Sequence, residues 1–188
     1  VAGTSNRRAR IADAVITTLA RRGSRGLTHR AVDEAAGLPT GSTSYYYRSR
    51  AELLHAAVPR LAELDGETVR WQASSDLREA LADILAASLH GAGYTRTLAR
   101  YELVLEASRR PQLQHELAAG AERLQTMLTS QFSELRTKDG MARARDLLAF
   151  LDGLMLAEVT SPVERRRTPA ERRAAVTRYL DGVTTSEG

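Results

Sequence analysis

The chain has 188 residues, 43% of them hydrophobic, enough for one domain of ordinary size or two small ones with a real core. It has no cysteine, which excludes disulfides, thiol nucleophiles and cysteine-based metal sites, and no apolar run of the ~18 residues a membrane span requires. Aromatics are 5% while alanine and leucine dominate, which favours packed helices over a sheet. The formal charge of +4 is uneven: residues 1–60 hold ten arginines against four acids, and the rest of the chain is slightly acidic. With no signal peptide evident, a soluble cytoplasmic protein is expected.

Residues 1–6, VAGTSN, are expected to lack regular structure, with Asn6 capping the first helix. Ile11, Ala12, Val15, Ile16 and Leu19 then form an apolar stripe that carries this helix to Arg22, and Gly23 stops it. Arg7, Arg8 and Arg10 oppose the helix dipole at its start, a placement that suits nearby phosphates as well as solvent. Leu27 packs the turn that follows.

Residues 24–54 organise the chain. Thr28 is a good cap for a second helix whose small apolar stripe is Ala31, Val32, Ala35 and Ala36, and Gly37 ends it in the left-handed conformation. Pro39 stands near the start of a third, short helix, PTGSTSYYY, rich in hydroxyls. Successive helical residues point about 100° apart, so Tyr45, Tyr46 and Tyr47 cannot all be buried. With Arg48 and Arg50 following, this segment suits a groove edge and its phosphates, although a helix–turn–helix of this size is also common in all-α proteins.

A fourth helix, Ala51 to about Arg70, has Leu53, Leu54, Ala57, Val58, Leu61 and Leu64 on its apolar side, with Pro59 as an interruption. The sequence SSD at 74–76 caps a fifth, Leu77 to about His90, which Gly91 and Gly93 are expected to close. Tyr94–Arg109 follows, with Leu98, Tyr101 and Leu105 as the inward stripe, and Pro111 separates it from Leu113–Arg136. Lys138, Asp139 and Gly140 form the next break. Ala142–Thr160 is apolar on more than one face, so it is either a central buried helix or one that needs a partner. Thr168 caps a final helix of about Ala170–Leu180.

The stretch AAGL, then PTGSTSYYY, SR and AELL resembles the DNA-binding domain of the TetR family of bacterial transcriptional regulators. The likeness is strong over residues 7–58 and extends to helix layout beyond them. It departs from the family pattern at Ser44, where an aromatic is usual, and at Tyr46 and Tyr47, where the family has His and Phe. The resemblance implies an all-α protein with a three-helix helix-turn-helix domain at 7–50 and a larger helical ligand-binding and dimerisation domain at 51–183.

It further implies a cytoplasmic, ligand-responsive repressor that holds a palindromic double-stranded DNA operator as a homodimer, with no cofactor, metal or membrane partner. Arg30, Thr40, Gly41, Ser42, Tyr45, Tyr46 and Arg50 are then the DNA-binding candidates: Arg30 for a guanine edge, Thr40 and Ser42 for bases, Gly41 for close backbone approach, Tyr45 and Arg50 for phosphates. Leu147, Phe150, Leu151, Leu154, Val176 and Leu180 are the dimer-interface candidates on the last two helices. A small-molecule effector would be met by Trp71, Tyr94, Tyr101, Met127, Phe132 and Met155, since aromatics and methionines adapt to an apolar guest. Glu102 and Glu106 either add negative charge there or pair with arginines such as Arg100 and Arg109.

An enzyme is disfavoured. His29, His55, His90 and His115 are scattered, and there is no HExxH, glycine-rich phosphate loop or serine nucleophile elbow. The alternative reading is a helical protein-interaction module that does not bind DNA.

Overall fold

The computed structural model describes residues 2–68, 76–134 and 140–185. All regular structure among them is helical. The order is α1 (Ala2–Arg22), a 3-10 turn (Ser24–Gly26), α2 (His29–Ala36), α3 (Ser42–Tyr46), α4 (Arg50–Thr68), α5 (Leu77–Leu89), α6 (Gly91–Ala107), α7 (Pro111–Glu134), α8 (Gly140–Thr160), a second 3-10 turn (Val163–Arg165) and α9 (Pro169–Thr185). None of these helices is long and apolar enough to cross a membrane.

Two compact units arise from this order, Val1–Thr68 with Ala92–Ala118, and Val69–Gly91 with Ala119–Gly188. The core of the first is one cluster. Ile11, Val15, Ile16 and Leu19 of α1 meet Val32 and Ala36 of α2 and Leu53, Leu54, Ala57, Val58 and Leu61 of α4. Ala99, Leu103 and Ala107 of α6 and Leu113 of α7 complete it. Spacings of three and four keep each set on one helical face. α4 continues through Pro59 as one helical element, held by buried residues on either side, with Pro59 itself exposed.

Several local expectations hold. Thr28 Oγ1 accepts from the Ala31 amide at 3.1 Å, and Gly37 closes α2 at φ 60°. Thr168 and Glu171 cap α9 reciprocally, Thr168 Oγ1 accepting from the Glu171 amide while the Glu171 carboxylate accepts from the Thr168 amide.

Others are corrected. α1 begins at Ala2, so residues 2–6 are helical and Asn6 lies within the helix rather than capping it. Gly3, Thr4, Ser5 and Asn6 are all weak helix formers, and the buried stripe further on anchors the element. In α2 the buried residues are Ala31, Val32, Asp33 and Ala36, so a carboxylate occupies the inner face where Ala35 was expected. Gly91 and Gly93 open α6 instead of closing α5. The inward stripe of α6 is Ala99, Leu103 and Ala107, whereas Leu105 is 59% exposed. At about 100° per residue, that stripe lies on nearly the opposite side of the helix from Leu98, Tyr101 and Leu105.

In the second unit α5 packs on α8 and α9. Leu81, Leu85 and Leu89 meet an interior that includes Leu147, Leu151, Leu154, Met155, Val176 and Leu180. Arg78 of α5 donates to Asp181 of α9 at 2.6 Å. Glu158, 2% exposed, accepts from the Arg167 amide and side chain and lies 3.6 Å from Arg172, itself 6% exposed. This buried pair fixes the loop between α8 and α9, since an unpaired charge there would be costly.

Candidate nucleic-acid interface

α3 has five residues, too few to be stable alone. Two side chains of α2, one helical turn apart, hold its ends. Asp33 is 2% exposed, and its carboxylate accepts from the Gly41 amide at 2.7 Å, the Thr43 amide at 2.7 Å and the Thr43 hydroxyl at 2.6 Å. Burial by itself would raise the Asp33 pKa, but the Thr43 hydroxyl and the Thr43 and Gly41 amides outweigh it and keep the group below its usual value. At the other end of α3 the His29 Nε2 donates to the Tyr47 carbonyl at 2.7 Å, which requires the proton on that nitrogen. Residues i and i+4 of a helix share a face, so His29 and Asp33 act as two jaws on α3.

The turn between α2 and α3 depends on Gly41, which precedes α3 at φ 92°. A Cβ there would meet no atom within 4 Å, so the left-handed backbone, not crowding, calls for glycine. Ser44 Oγ donates back to the Gly41 carbonyl at 2.8 Å, and Ser49 and Glu52 form a capping pair at the start of α4.

The three tyrosines divide as helical geometry requires. Tyr46 and Tyr47 pack against the core cluster. Tyr45 is 81% exposed and stands edge-on to Tyr46, with ring centroids 5.2 Å apart. An open cleft of about 800 Å³ is lined by Arg8 of α1, by Gly41, Ser44, Tyr45 and Tyr46, and by Arg48. Arg30 and Thr40 are exposed, and Ser42 is half-buried. The structure therefore brings Gly41, Tyr45 and Tyr46 together, and adds Arg8, Ser44 and Arg48 to them.

Arg50 stands in a different setting. Its guanidinium donates to Glu106 of α6 at 3.2 and 3.3 Å and to the Ser24 carbonyl at 2.8 Å, and it also contacts the Ser24 hydroxyl. Glu106 further accepts from Arg110 and from the Ser24 hydroxyl. Hydrogen bonds from Arg50 first, then Ser24 and Arg110, lower the Glu106 pKa to about 2. Glu102 accepts from the Ser24 amide at 2.7 Å. Both glutamates thus belong to the first unit's internal network, and Arg100 pairs with Asp65 instead. A cleft of about 320 Å³ beside them is lined by Arg22, Gly23, Ser24, Arg25, Glu102, Leu105, Glu106 and Arg109.

The remaining candidates are dispersed. Tyr94 and Tyr101 are half-buried on α6, and neither lines that cleft. Met155 is buried in the second unit. Trp71 lies outside the described residues, as do the side chains of Met127 and Phe132. Leu147, Leu151, Leu154, Val176 and Leu180 are at most 7% exposed within a single chain and fill the interior of the second unit. Phe150 alone of that set is half-buried, stacked on Tyr179 at 4.4 Å.

A short helix clamped on its neighbour, with an exposed tyrosine and arginines around it, has the form of a helix-turn-helix. The model of the tetracyclin repressor-like C-terminal domain matches residues 75–185. The HTH-type transcriptional regulator BetI of Paraburkholderia xenovorans is 30% identical over 156 residues, 80% of each chain. Among solved structures, a transcriptional regulator from Rhodococcus sp. Rha1 superposes with a TM-score of 0.84 at 21% identity, covering 95% of this chain and 96% of that one. The multidrug binding protein EbrR complexed with ethidium gives a TM-score of 0.70 at 32% identity over 92% of this chain and 98% of its own. The chain belongs to the TetR family: it is a DNA-binding transcriptional regulator and not an enzyme.

Proposed function

We propose that this protein is a ligand-responsive repressor that holds a palindromic operator as a homodimer, with residues 7–50 contacting DNA and residues 51–183 serving regulation and pairing. The observation that carries the reading is the exposed Tyr45 face of α3, fixed at both ends by His29 and Asp33 and flanked by Arg8 and Arg48. In this reading Arg30, Thr40 and Ser42 reach base edges, Gly41 and Tyr46 shape the contact face, and Tyr45 meets phosphates, whereas Arg50, expected in the same role, has its guanidinium engaged by Glu106 and Ser24. Pairing uses α8 and α9. The buried Leu147, Leu151, Leu154, Val176 and Leu180 support these helices, and Phe150 with Tyr179 supplies surface.

The similarity to a protein solved with ethidium supports a small apolar or cationic effector. Tyr101, Tyr94, Met155, Trp71, Met127 and Phe132 remain its proposed contacts, and the effector acts by shifting a two-state population.

Selection from a randomised duplex pool tests the reading. The expected product is an inverted repeat, bound by a species that sediments as a dimer at micromolar concentration. Arg30→Ala should relax one symmetric position by about 1–3 kcal/mol. No enrichment of any duplex would replace this reading with a helical protein-interaction module.

A further inference from the structure

The segments leading into and out of the helix-turn-helix meet at one side chain. Ser24 lies four residues before Thr28, the cap of α2, and Arg50 lies four residues after Tyr46, the end of α3. Both bond to Glu106 on α6, and to each other. One turn earlier on α6, Glu102 holds the Ser24 amide. The connecting stretches are short, and at ~3.5 Å of reach per residue they have little slack to absorb a displacement.

α6 grips α4 at a second place. Arg96 Nε donates to Asp65 Oδ1 at 3.2 Å, and Arg100 contacts the same carboxylate. The early part of α4 pairs with the late part of α6, and the late part of α4 with the early part of α6, so the two helices run antiparallel with ion pairs of opposite polarity at each end. Between these pairs, Ala99 and Leu103 of α6 are fully buried.

We infer that Glu106 is a positioning residue for DNA binding: through Ser24 and Arg50 it ties together the segments at both ends of the helix-turn-helix, so its loss lowers the affinity for DNA. This rests on the reading of the helix-turn-helix as the DNA-contacting element, and it names the contact by which the rest of the first unit acts on that element. Nothing in the role requires Glu106 to touch DNA. Its carboxylate is 20% exposed and engaged by Arg50, Arg110 and Ser24. Neutralising it leaves the number of phosphate contacts unchanged while releasing the bracket.

The test is a double-mutant cycle of Glu106→Gln and Arg50→Gln in the full chain. Affinity is measured by fluorescence anisotropy across a salt series for the duplex that the wild-type protein selects from a randomised pool. Glu106→Gln should weaken binding on the order of tenfold, within the usual span of coupling between sites, with the salt slope unchanged. The double variant should bind no more weakly than the worse single variant.

Circular dichroism at the assay temperature establishes that each variant is folded. Should Glu106→Gln not fold, Ser24→Ala removes the hydroxyl shared by both partners and should weaken the same duplex several-fold. Binding of Glu106→Gln within twofold of wild type, or losses that simply multiply in the double variant, would overturn the inference while leaving DNA binding intact. If the wild-type chain selects no duplex, the DNA-binding reading and this inference fall together.

Discussion

Replacing Asp33 with alanine removes the acceptor that holds the start of α3. Three donors lose their partner at once, the amides of Gly41 and Thr43 and the Thr43 hydroxyl, all within 2.7 Å of the carboxylate. Hydrogen bonds to a charged group contribute about 1.5–3 kcal/mol each, and buried donors left unsatisfied carry a similar cost. The three share one carboxylate, and the Thr43 hydroxyl can turn to a backbone carbonyl, so the sum is discounted to about 4 kcal/mol. That is a large share of the 5–15 kcal/mol by which a domain is usually stable.

Asp33→Asn keeps one acceptor but sets an amide NH₂ against a backbone donor, and should lose about 2 kcal/mol. Equilibrium urea unfolding at pH 7 measures both losses, and hydrogen exchange at Gly41 and Thr43 locates them. The folded pKa of Asp33 lies below its usual 3.8, so the stabilisation is complete above that value and fades as pH falls through the folded pKa. The gap between wild type and Asp33→Ala should therefore narrow under strong acid. A loss below about 1 kcal/mol at pH 7, or a gap indifferent to acid, would refute the assignment of Asp33 as the anchor of α3.

Glu158→Ala should cost about 3–5 kcal/mol, because it strands the buried guanidinium of Arg172, and adding Arg172→Met should recover part of that loss in the same urea titration. Glu106 titrates at about 2 in place of 4.5, so its contribution is present above pH 4.5 and lost as pH falls toward 2. Discounted for its partial exposure, that contribution is about 2 kcal/mol, and Glu106→Gln should show a correspondingly flatter fall of stability in acid.

Most of the helical elements were legible in the chain read one residue at a time, and the class followed from the AAGL–PTGSTSYYY–SR–AELL pattern. Spacing of apolar residues, the Thr28 and Thr168 caps and the left-handed Gly37 are local properties of the chain, and they marked α2, α9 and the turn after α2 without reference to any distant residue. The division of Tyr45 from Tyr46 and Tyr47 was legible in the same way, because adjacent helical residues cannot share a face, although which tyrosine would be exposed was not.

Tertiary structure alone decided how α6 is rotated and where the charges go. A pattern such as Leu98–Tyr101–Leu105 looks inward from periodicity, yet the fold buries Ala99, Leu103 and Ala107, because the face a helix turns inward is set by the core it meets as well as by its own apolar residues. Nothing in the local sequence marks Asp33 or Glu158 for burial, and Glu106 offered either a ligand-site charge or a pairing with Arg100 or Arg109. Their partners are a turn ten residues on for Asp33, an arginine more than fifty residues away for Glu106, and an arginine on the next helix for Glu158. A charge is buried only where the fold delivers a counterpart, and that delivery is a property of three-dimensional contacts that local sequence does not encode.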